Sequence, residues 1–178
     1  MARLLNSLLG LLLAITLLAP TANASLTDDR YDGNIYALYA GNGSLVPPAT
    51  SLKDSQAAGR TSVLVFYLDD SSTSKAYAPA VSELQRLWGR AVDLMPLTTD
   101  ALQGRPIEGT ADPANYWHGR IPQVVVLDGS GNVLLDQEGQ VPLEAINKAI
   151  SGATGLPAPE GVSTSLSFNE LNTEVQTR

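Results

Sequence analysis

The run TSVLVFYL (61–68) constrains the fold of this chain more than any other stretch. Its β-branched and aromatic residues are typical of a buried strand. The next segment, SKAYAPAVSELQRLWGR (74–90), carries apolar residues at helical spacing, and Pro79 within it predicts a kinked helix. AVDLMPLTTD (91–100) has the composition of a second strand. A strand, a helix and a second strand in this order predict a parallel crossover.

The second half of the chain predicts a hairpin and a closing helix. A polar connection, with a helical turn near 113–117, leads to the strand PQVVVLD (122–128). The turn GSGN joins it to a fourth strand, VLLDQEG (133–139), and PLEAINKAISG (142–152) is a helix that Gly152 can end. The complete order predicts an α/β sandwich with a central mixed β-sheet flanked by helices, over residues 59–153.

Both ends of the chain lie outside this predicted domain. Residues 1–24 have a basic start, the apolar run LLNSLLGLLLAITLL and the small residues ANA, which is typical of a signal peptide that is cleaved before Ser25. The alternative is an uncleaved N-terminal anchor, although the run is short for a membrane span. Residues 25–58 form an N-terminal extension in which NIYALYA (34–40) is predicted to be a short strand. Residues 154–178 have little core-forming content and are predicted to be a tail.

Composition excludes several functions. The 178 residues suffice for one domain with a core, and the formal net charge of −7 argues against a nucleic-acid partner. The chain has no cysteine, so it carries out no thiol chemistry of its own. Its single histidine, His118, cannot form a histidine-rich metal site, and no metal or cofactor is expected. DGSGN (128–132) starts like a calcium loop, but Gly139 stands where the bidentate glutamate is required, which favours a hairpin turn.

The predicted layout resembles the thioredoxin fold. In thioredoxins a strand ends in a Cys-x-x-Cys turn at the start of a helix, followed by a lysine and later a proline, and an isoleucine–cis-proline pair opens a later strand. Here the turn is SSTS (71–74), followed by Lys75 and Pro79, and the pair is Ile121–Pro122. Gly139 matches the glycine of the hairpin strand.

The departures from the thioredoxin pattern remove its redox chemistry. Ser71 and Ser74 replace both thiols, and a serine hydroxyl is a weak nucleophile without a base. Val65 stands where thioredoxins have a buried aspartate, and Asp70 stands where they have a tryptophan. We therefore expect a thioredoxin-like domain without catalytic residues. A serine hydrolase that uses His118 is a remote alternative, because the chain has no G-x-S-x-G elbow.

The resemblance implies that a peptide-binding shape can outlast the redox chemistry. The residue before the cis-proline keeps a free backbone edge in this family, so Ile121, next to Pro122, is a candidate to pair with an extended peptide. The degenerate redox turn, which consists of Ser71, Ser72, Thr73 and Ser74, is expected to line the rim. Tyr67 and Trp117 are the candidate apolar contacts. The alternative is that Pro122 is a structural turn and that the serines only cap the helix.

A second resemblance extends over nearly the whole mature chain. RYDGNIYALYAGNGSLVPP (30–48), VFYLDDS (65–71) and SFNELNTE (167–174) are similar to the cyanobacterial thylakoid membrane photosystem I accumulation factor family. The resemblance implies a place in the thylakoid membrane or lumen, with photosystem I subunits or assembly intermediates as partners. One alternative is a general peptide-binding chaperone of the lumen or periplasm. A thiol–disulfide or hydrolytic enzyme is a less favoured alternative.

Overall fold

A computed structural model describes residues 25–159 of the protein. Its centre is a four-stranded mixed sheet in the order β2-β1-β3-β4. Strand β1 (Ser62–Tyr67) pairs in parallel with β2 (Asp93–Thr98) and antiparallel with β3 (Gln123–Leu127), and β3 pairs antiparallel with β4 (Val133–Glu138). The predicted parallel crossover and hairpin are both confirmed, and the arrangement is an α/β thioredoxin-like sandwich.

Within residues 25–159, four α-helices accompany the sheet. Helices α1 (Ile35–Ala40) and α2 (Leu52–Ala57) precede β1, α3 (Ser72–Trp88) joins β1 to β2, and α4 (Leu143–Thr154) follows β4. Short 3₁₀ helices lie at Gly43–Leu45, Thr99–Ala101 and Pro113–Tyr116. The last of these is the helical turn that the sequence predicts near 113–117.

The sheet separates two apolar clusters. Every residue of β1 and β3 is buried, because side chains that alternate along a strand enter one cluster or the other. On one face Val63, Val65 and Val124 pack against the inner sides of α1, α3 and α4. On the other face Leu64 and Phe66 pack with the 3₁₀ segments that follow β2.

The segment NIYALYA is a helix, so the predicted strand is wrong. Asn34 caps α1, since its side-chain oxygen accepts hydrogen bonds from the backbone N–H groups of Tyr36 and Ala37. Gly41 ends the helix in the left-handed conformation, with a φ of 62°. Ile35 and Tyr36 both enter the same apolar cluster, whereas adjacent residues of a strand point to opposite faces of the sheet.

Smaller differences concern the extension and the closing helix. Helix α2 lies in a stretch whose sequence predicts no particular element. Helix α4 continues through Gly152 and ends at Thr154, where Gly155 adopts a φ of 70°. The predicted signal or anchor (1–24) and all of the predicted tail beyond residue 159 lie outside the described residues.

Candidate functional site

The degenerate redox turn forms the N-terminus of α3. Ser71 is the N-cap, and its hydroxyl oxygen accepts a hydrogen bond from the backbone N–H of Ser74 at 3.3 Å. The same hydroxyl lies 2.9 Å from that of Thr73. Ser74 is buried, and its own hydroxyl oxygen accepts a hydrogen bond from the N–H of Leu68. The two serines therefore tie β1 to the first turn of α3.

The N-terminal extension covers this turn. We call residues 25–32 the strap. A carboxylate oxygen of Asp29 in the strap accepts a hydrogen bond of 2.7 Å from the backbone N–H of Ser72. That bond lowers the pKa of Asp29, because it favours the ionised carboxylate, and the positive end of the helix dipole is at the same place. The chain itself thus supplies an anion to the helix N-terminus that a thiolate would use in a redox-active relative.

Lys75 is enclosed by the strap. Its side chain has no exposed surface, and its ammonium group donates to Asp32 at 2.7 Å and to the backbone carbonyl oxygens of Ser25, Asp28 and Arg30. The ring of Tyr39 lies beside the same ammonium group, with 5.8 Å to its centroid. All the hydrogen-bond acceptors of this buried lysine within residues 25–159 belong to the strap.

The charges in this enclosure stabilise each other. The hydrogen bond from Lys75, together with one from the hydroxyl of Tyr39, holds the pKa of Asp32 far below its ordinary value. Burial by itself would lower the pKa of Lys75, but the hydrogen bond and the negative charge of Asp32 outweigh burial and raise it. The pair is therefore ionised at neutral pH.

The loop between β4 and α4 brings the turn close to the Ile121–Pro122 pair. The Ile121–Pro122 peptide bond is cis, as the sequence predicts. The carbonyl oxygen of Pro122 accepts a hydrogen bond from the N–H of Gly139 at 2.7 Å. The side-chain amide of the next residue, Gln140, donates to the carbonyl oxygen of Thr73 at 3.3 Å.

Ile121 offers an open backbone edge at this place. Its side chain is half-buried, and within residues 25–159 no hydrogen bond joins its backbone N–H or carbonyl to another group. Pro122 and the following strand are buried, so Ile121 is the last accessible residue before β3. A peptide in an extended conformation can use such an edge through main-chain hydrogen bonds.

The two candidate apolar contacts, Tyr67 and Trp117, differ in their burial. Tyr67 is only 2% exposed and packs edge-on against the ring of Tyr36, with 5.1 Å between centroids, so its side chain belongs to the core and not to a rim. The reason is that α1 covers the end of β1. Trp117 is half-buried, and its indole N–H is a buried donor without a hydrogen-bond partner among the described residues.

The other polar candidates have local partners. A ring nitrogen of His118 lies 2.7 Å from a carboxylate oxygen of Asp136 on β4, while the hydroxyl of Ser71 contacts Thr73. Asp128 accepts hydrogen bonds from the backbone N–H groups of Ser130 and Asn132, which close the hairpin turn. The side-chain amide of Asn132 also donates to Asp128, and this bond, followed by the backbone bonds, lowers the pKa of Asp128.

Comparison with known proteins identifies the family. No protein-family model matches the chain. The thylakoid membrane protein slr1796 of Synechocystis sp. is 39% identical over 158 residues, which are 87% of this chain and 78% of that protein. The chain belongs to this family of thylakoid membrane proteins.

Two other proteins are similar to parts of this chain. A thiol:disulfide interchange protein TxlA homolog of Synechocystis sp. is 28% identical over 106 residues, 60% of this chain and 54% of that protein. The crystal structure of an exposed lipoprotein thioredoxin (Etrx1) from Streptococcus pneumoniae covers 57% of this chain, at 17% identity and a TM-score of 0.45. Within residues 25–159, no helix is long and apolar enough to cross a membrane.

The strap could not be predicted from the sequence alone. One signal was available: three aspartates, at positions 28, 29 and 32, follow the predicted cleavage site closely, and Lys75 stands beside the degenerate turn. Three of the residues around Lys75 nevertheless contribute backbone carbonyls, and a carbonyl leaves no mark on residue type. The enclosure therefore becomes visible only in the folded chain.

Proposed function

We propose that this chain is a redox-inactive, thioredoxin-like protein that assists the accumulation of photosystem I by binding protein. It acts in the thylakoid membrane or lumen, after residues 1–24 have directed its export and been removed. Its partners are photosystem I subunits or assembly intermediates. The identity with a thylakoid membrane protein supports the location, and the sequence resemblance to the photosystem I accumulation factor family supports the process.

The single observation that supports action by binding is the contrast between the N-terminus of α3 and the backbone edge at Ile121. The helix N-terminus on the α3 side is occupied by Asp29 of the same chain, and the thiols are absent. On the other side, the backbone of Ile121 is open. Because Asp29 occupies the N-terminus of α3 and the backbone edge at Ile121 is open, the site favours peptide binding over catalysis.

Binding at this edge would work by β-augmentation. A partner segment in extended conformation would exchange main-chain hydrogen bonds with Ile121, which gives affinity for any peptide backbone. Specificity would then come from side chains around the edge, of which Trp117 is the largest candidate.

The test is a deletion of the gene in its native host, followed by quantification of photosystem I against photosystem II in isolated membranes. The strain is complemented with the wild type, with Ile121→Asp and with Ile107→Asp. Ile107 is the matched control, because it is 58% exposed and lies in the connection between β2 and β3. Immunoblots verify that each variant accumulates.

We expect a selective loss of photosystem I that the wild type and Ile107→Asp restore and Ile121→Asp does not. Unchanged photosystem I in the deletion strain would overturn the photosystem role. Full restoration by Ile121→Asp would overturn the binding edge and leave the role intact. An insulin-reduction assay of the purified protein, expected to show no activity, tests the enzymatic alternative.

A general peptide-binding chaperone is the second candidate, because a backbone edge does not discriminate between sequences. It would act in the lumen or in the periplasm. Affinity purification from membranes separates the two: a photosystem I assembly complex supports the first proposal, and many unfolded exported chains support the second.

A further inference from the structure

Ser25 is held at both of its backbone groups. Its nitrogen donates to a carboxylate oxygen of Asp32 at 3.3 Å, and its carbonyl oxygen accepts from the Lys75 ammonium group at 3.2 Å. Both partners are almost fully buried: the Asp32 side chain is 7% exposed and that of Lys75 is 0% exposed. The first residue after the predicted cleavage site thus lies inside the most enclosed charged cluster near the turn.

The cluster has one negative charge in excess. Asp28 and Asp32 form ion pairs with Lys75 and Arg30, and Asp29, which the N–H of Ser72 holds, also interacts with the charge of Lys75. Three acidic groups against two basic groups leave a net charge of −1. A cation at the position of the Ser25 nitrogen would balance the cluster, and that nitrogen is already directed at a carboxylate.

We propose that cleavage between Ala24 and Ser25 creates this cation and thereby locks the strap over the start of α3. A signal peptidase adds water across the bond, so that Ala24 keeps the hydroxyl as a carboxylate and Ser25 becomes a primary amine. The amine takes up a proton and pairs with Asp32 as an ammonium group. The inference rests on the removal of residues 1–24 stated in the proposed function.

The physical reason is the difference between an amide and an ammonium group. A peptide N–H offers one proton and no net charge, whereas an α-ammonium group offers three protons and a full charge to the same carboxylate. Charge-assisted hydrogen bonds are roughly twice as strong as neutral ones. The positive charge of Lys75 repels the new cation. The negative charges of Asp28, Asp29 and Asp32 oppose this repulsion, and the added charge brings the cluster to neutrality.

Two purified chains test the lock. One begins at Ser25, released from a fusion by a protease that leaves no extra residue. Its matched control begins at Asn23 and carries its amine two residues before Ser25. Acetylation of the N-terminal amine is followed against pH by mass spectrometry, which gives the amine's pKa. Limited proteolysis with trypsin at Arg30, whose side chain is 59% exposed, reports release of the strap.

We expect an amine pKa above the ordinary value of about 8 in the chain that begins at Ser25, and an ordinary value in the control. Trypsin should cut the strap of the Ser25 chain several-fold more slowly at pH 7. The difference should vanish at a pH above the amine's pKa, because the charge is then lost. Equal pKa values and equal cleavage rates would overturn the lock.

The N-terminal residue of the protein purified from its host distinguishes failure of the lock from failure of the proposed removal of residues 1–24. A native chain that begins at Ser25, combined with equal behaviour of the two purified chains, would overturn the lock and leave the export proposal standing. A native chain that retains residues 1–24 would overturn both. The photosystem I measurements test the function independently of either outcome.

Discussion

At the scale of single residues, Lys75 determines how the N-terminal part of the chain is attached. A buried ammonium group is costly unless it is paired and hydrogen-bonded, and here the strap supplies every acceptor within the described residues. The strap has few apolar anchors of its own, since Leu26 is 49% exposed and Tyr31 is 70% exposed. Its attachment therefore depends on polar contacts, which a single substitution can remove.

Replacement of Lys75 by methionine should release the strap. The apolar side chain fits the buried volume but leaves Asp32 without its cation, so the strap loses its central contact. We expect trypsin to cut at Arg30 several-fold faster than in the wild type, while the sheet and its helices stay folded by circular dichroism. Lys148→Met, on the exposed side of α4, is the control. Unchanged cleavage in Lys75→Met would show that the strap is held elsewhere.

At the scale of elements, the sequence predicted the sheet better than the extension. The strands β1 and β3 could be located within about two residues because continuous β-branched runs have few alternative structures. α1 was misassigned because its six residues are too short for a helical period to emerge, and its aromatic content favours a strand. The Asn34 cap and the Gly41 terminator carried the correct information.

The Asn34 cap should contribute measurably to stability. Asn34→Ala removes two hydrogen bonds to the first turn of α1, and the loss of such a cap costs about 1 kcal/mol of unfolding free energy. Urea unfolding followed by tryptophan fluorescence measures the change in midpoint. Asn115→Ala is the control, because Asn115 is exposed and caps no helix. Equal midpoints for the two variants would mean that α1 is held by its core residues alone.

The resemblance to thioredoxins predicted the cis bond at Ile121–Pro122 and placed the turn at Ser71–Ser74 at the start of a helix, and the structure has both features. Tyr67 could not be assigned to the core, because the sequence does not show that α1 covers the end of β1. The strap was missed for the related reason that tertiary contacts of backbone groups are invisible in residue types.

Restoring the two thiols should give only a weak reductase. In Ser71→Cys/Ser74→Cys, the Asp29 carboxylate competes for the helix N-terminus and raises the pKa of the new thiol at position 71. We expect slow insulin reduction, and a several-fold increase when Asp29→Asn is added to the pair. Asp54→Asn, an exposed carboxylate at the start of α2, is the matched control. Equal rates with and without Asp29 would show that the strap does not limit the turn.

At the scale of the whole molecule, most of the carboxyl groups with a shifted pKa within residues 25–159 respond to acid in the same direction, although they lie in separate clusters. Asp112 accepts hydrogen bonds from Arg105 and from the N–H groups of Glu108 and Ala114, which fastens the connection between β2 and β3. Asp69 is the opposite case, because its burial raises its pKa. In the described part of the chain the pKa is lowered for five other carboxyl groups, which are Asp29, Asp32, Glu83, Asp112 and Asp128.

Acid should therefore destabilise the fold below about pH 4. A carboxylate with a lowered pKa in the folded state contributes stability above its ordinary pKa, which is 3.8 for aspartate, and this contribution is lost as the pH falls through the folded-state value. Burial of Asp69 works in the other direction but affects a single group. We expect the urea midpoint to be constant from pH 7 to about pH 5 and to fall steeply below. Asp112→Asn should lie below the wild type at pH 7, and the gap should be narrower at pH 3 because part of the contribution of the ionised carboxylate is lost there, whereas Asp100→Asn, an exposed control, should follow the wild type throughout. A gap between Asp112→Asn and the wild type that is as wide at pH 3 as at pH 7 would mean that the ionisation of Asp112 contributes nothing to stability.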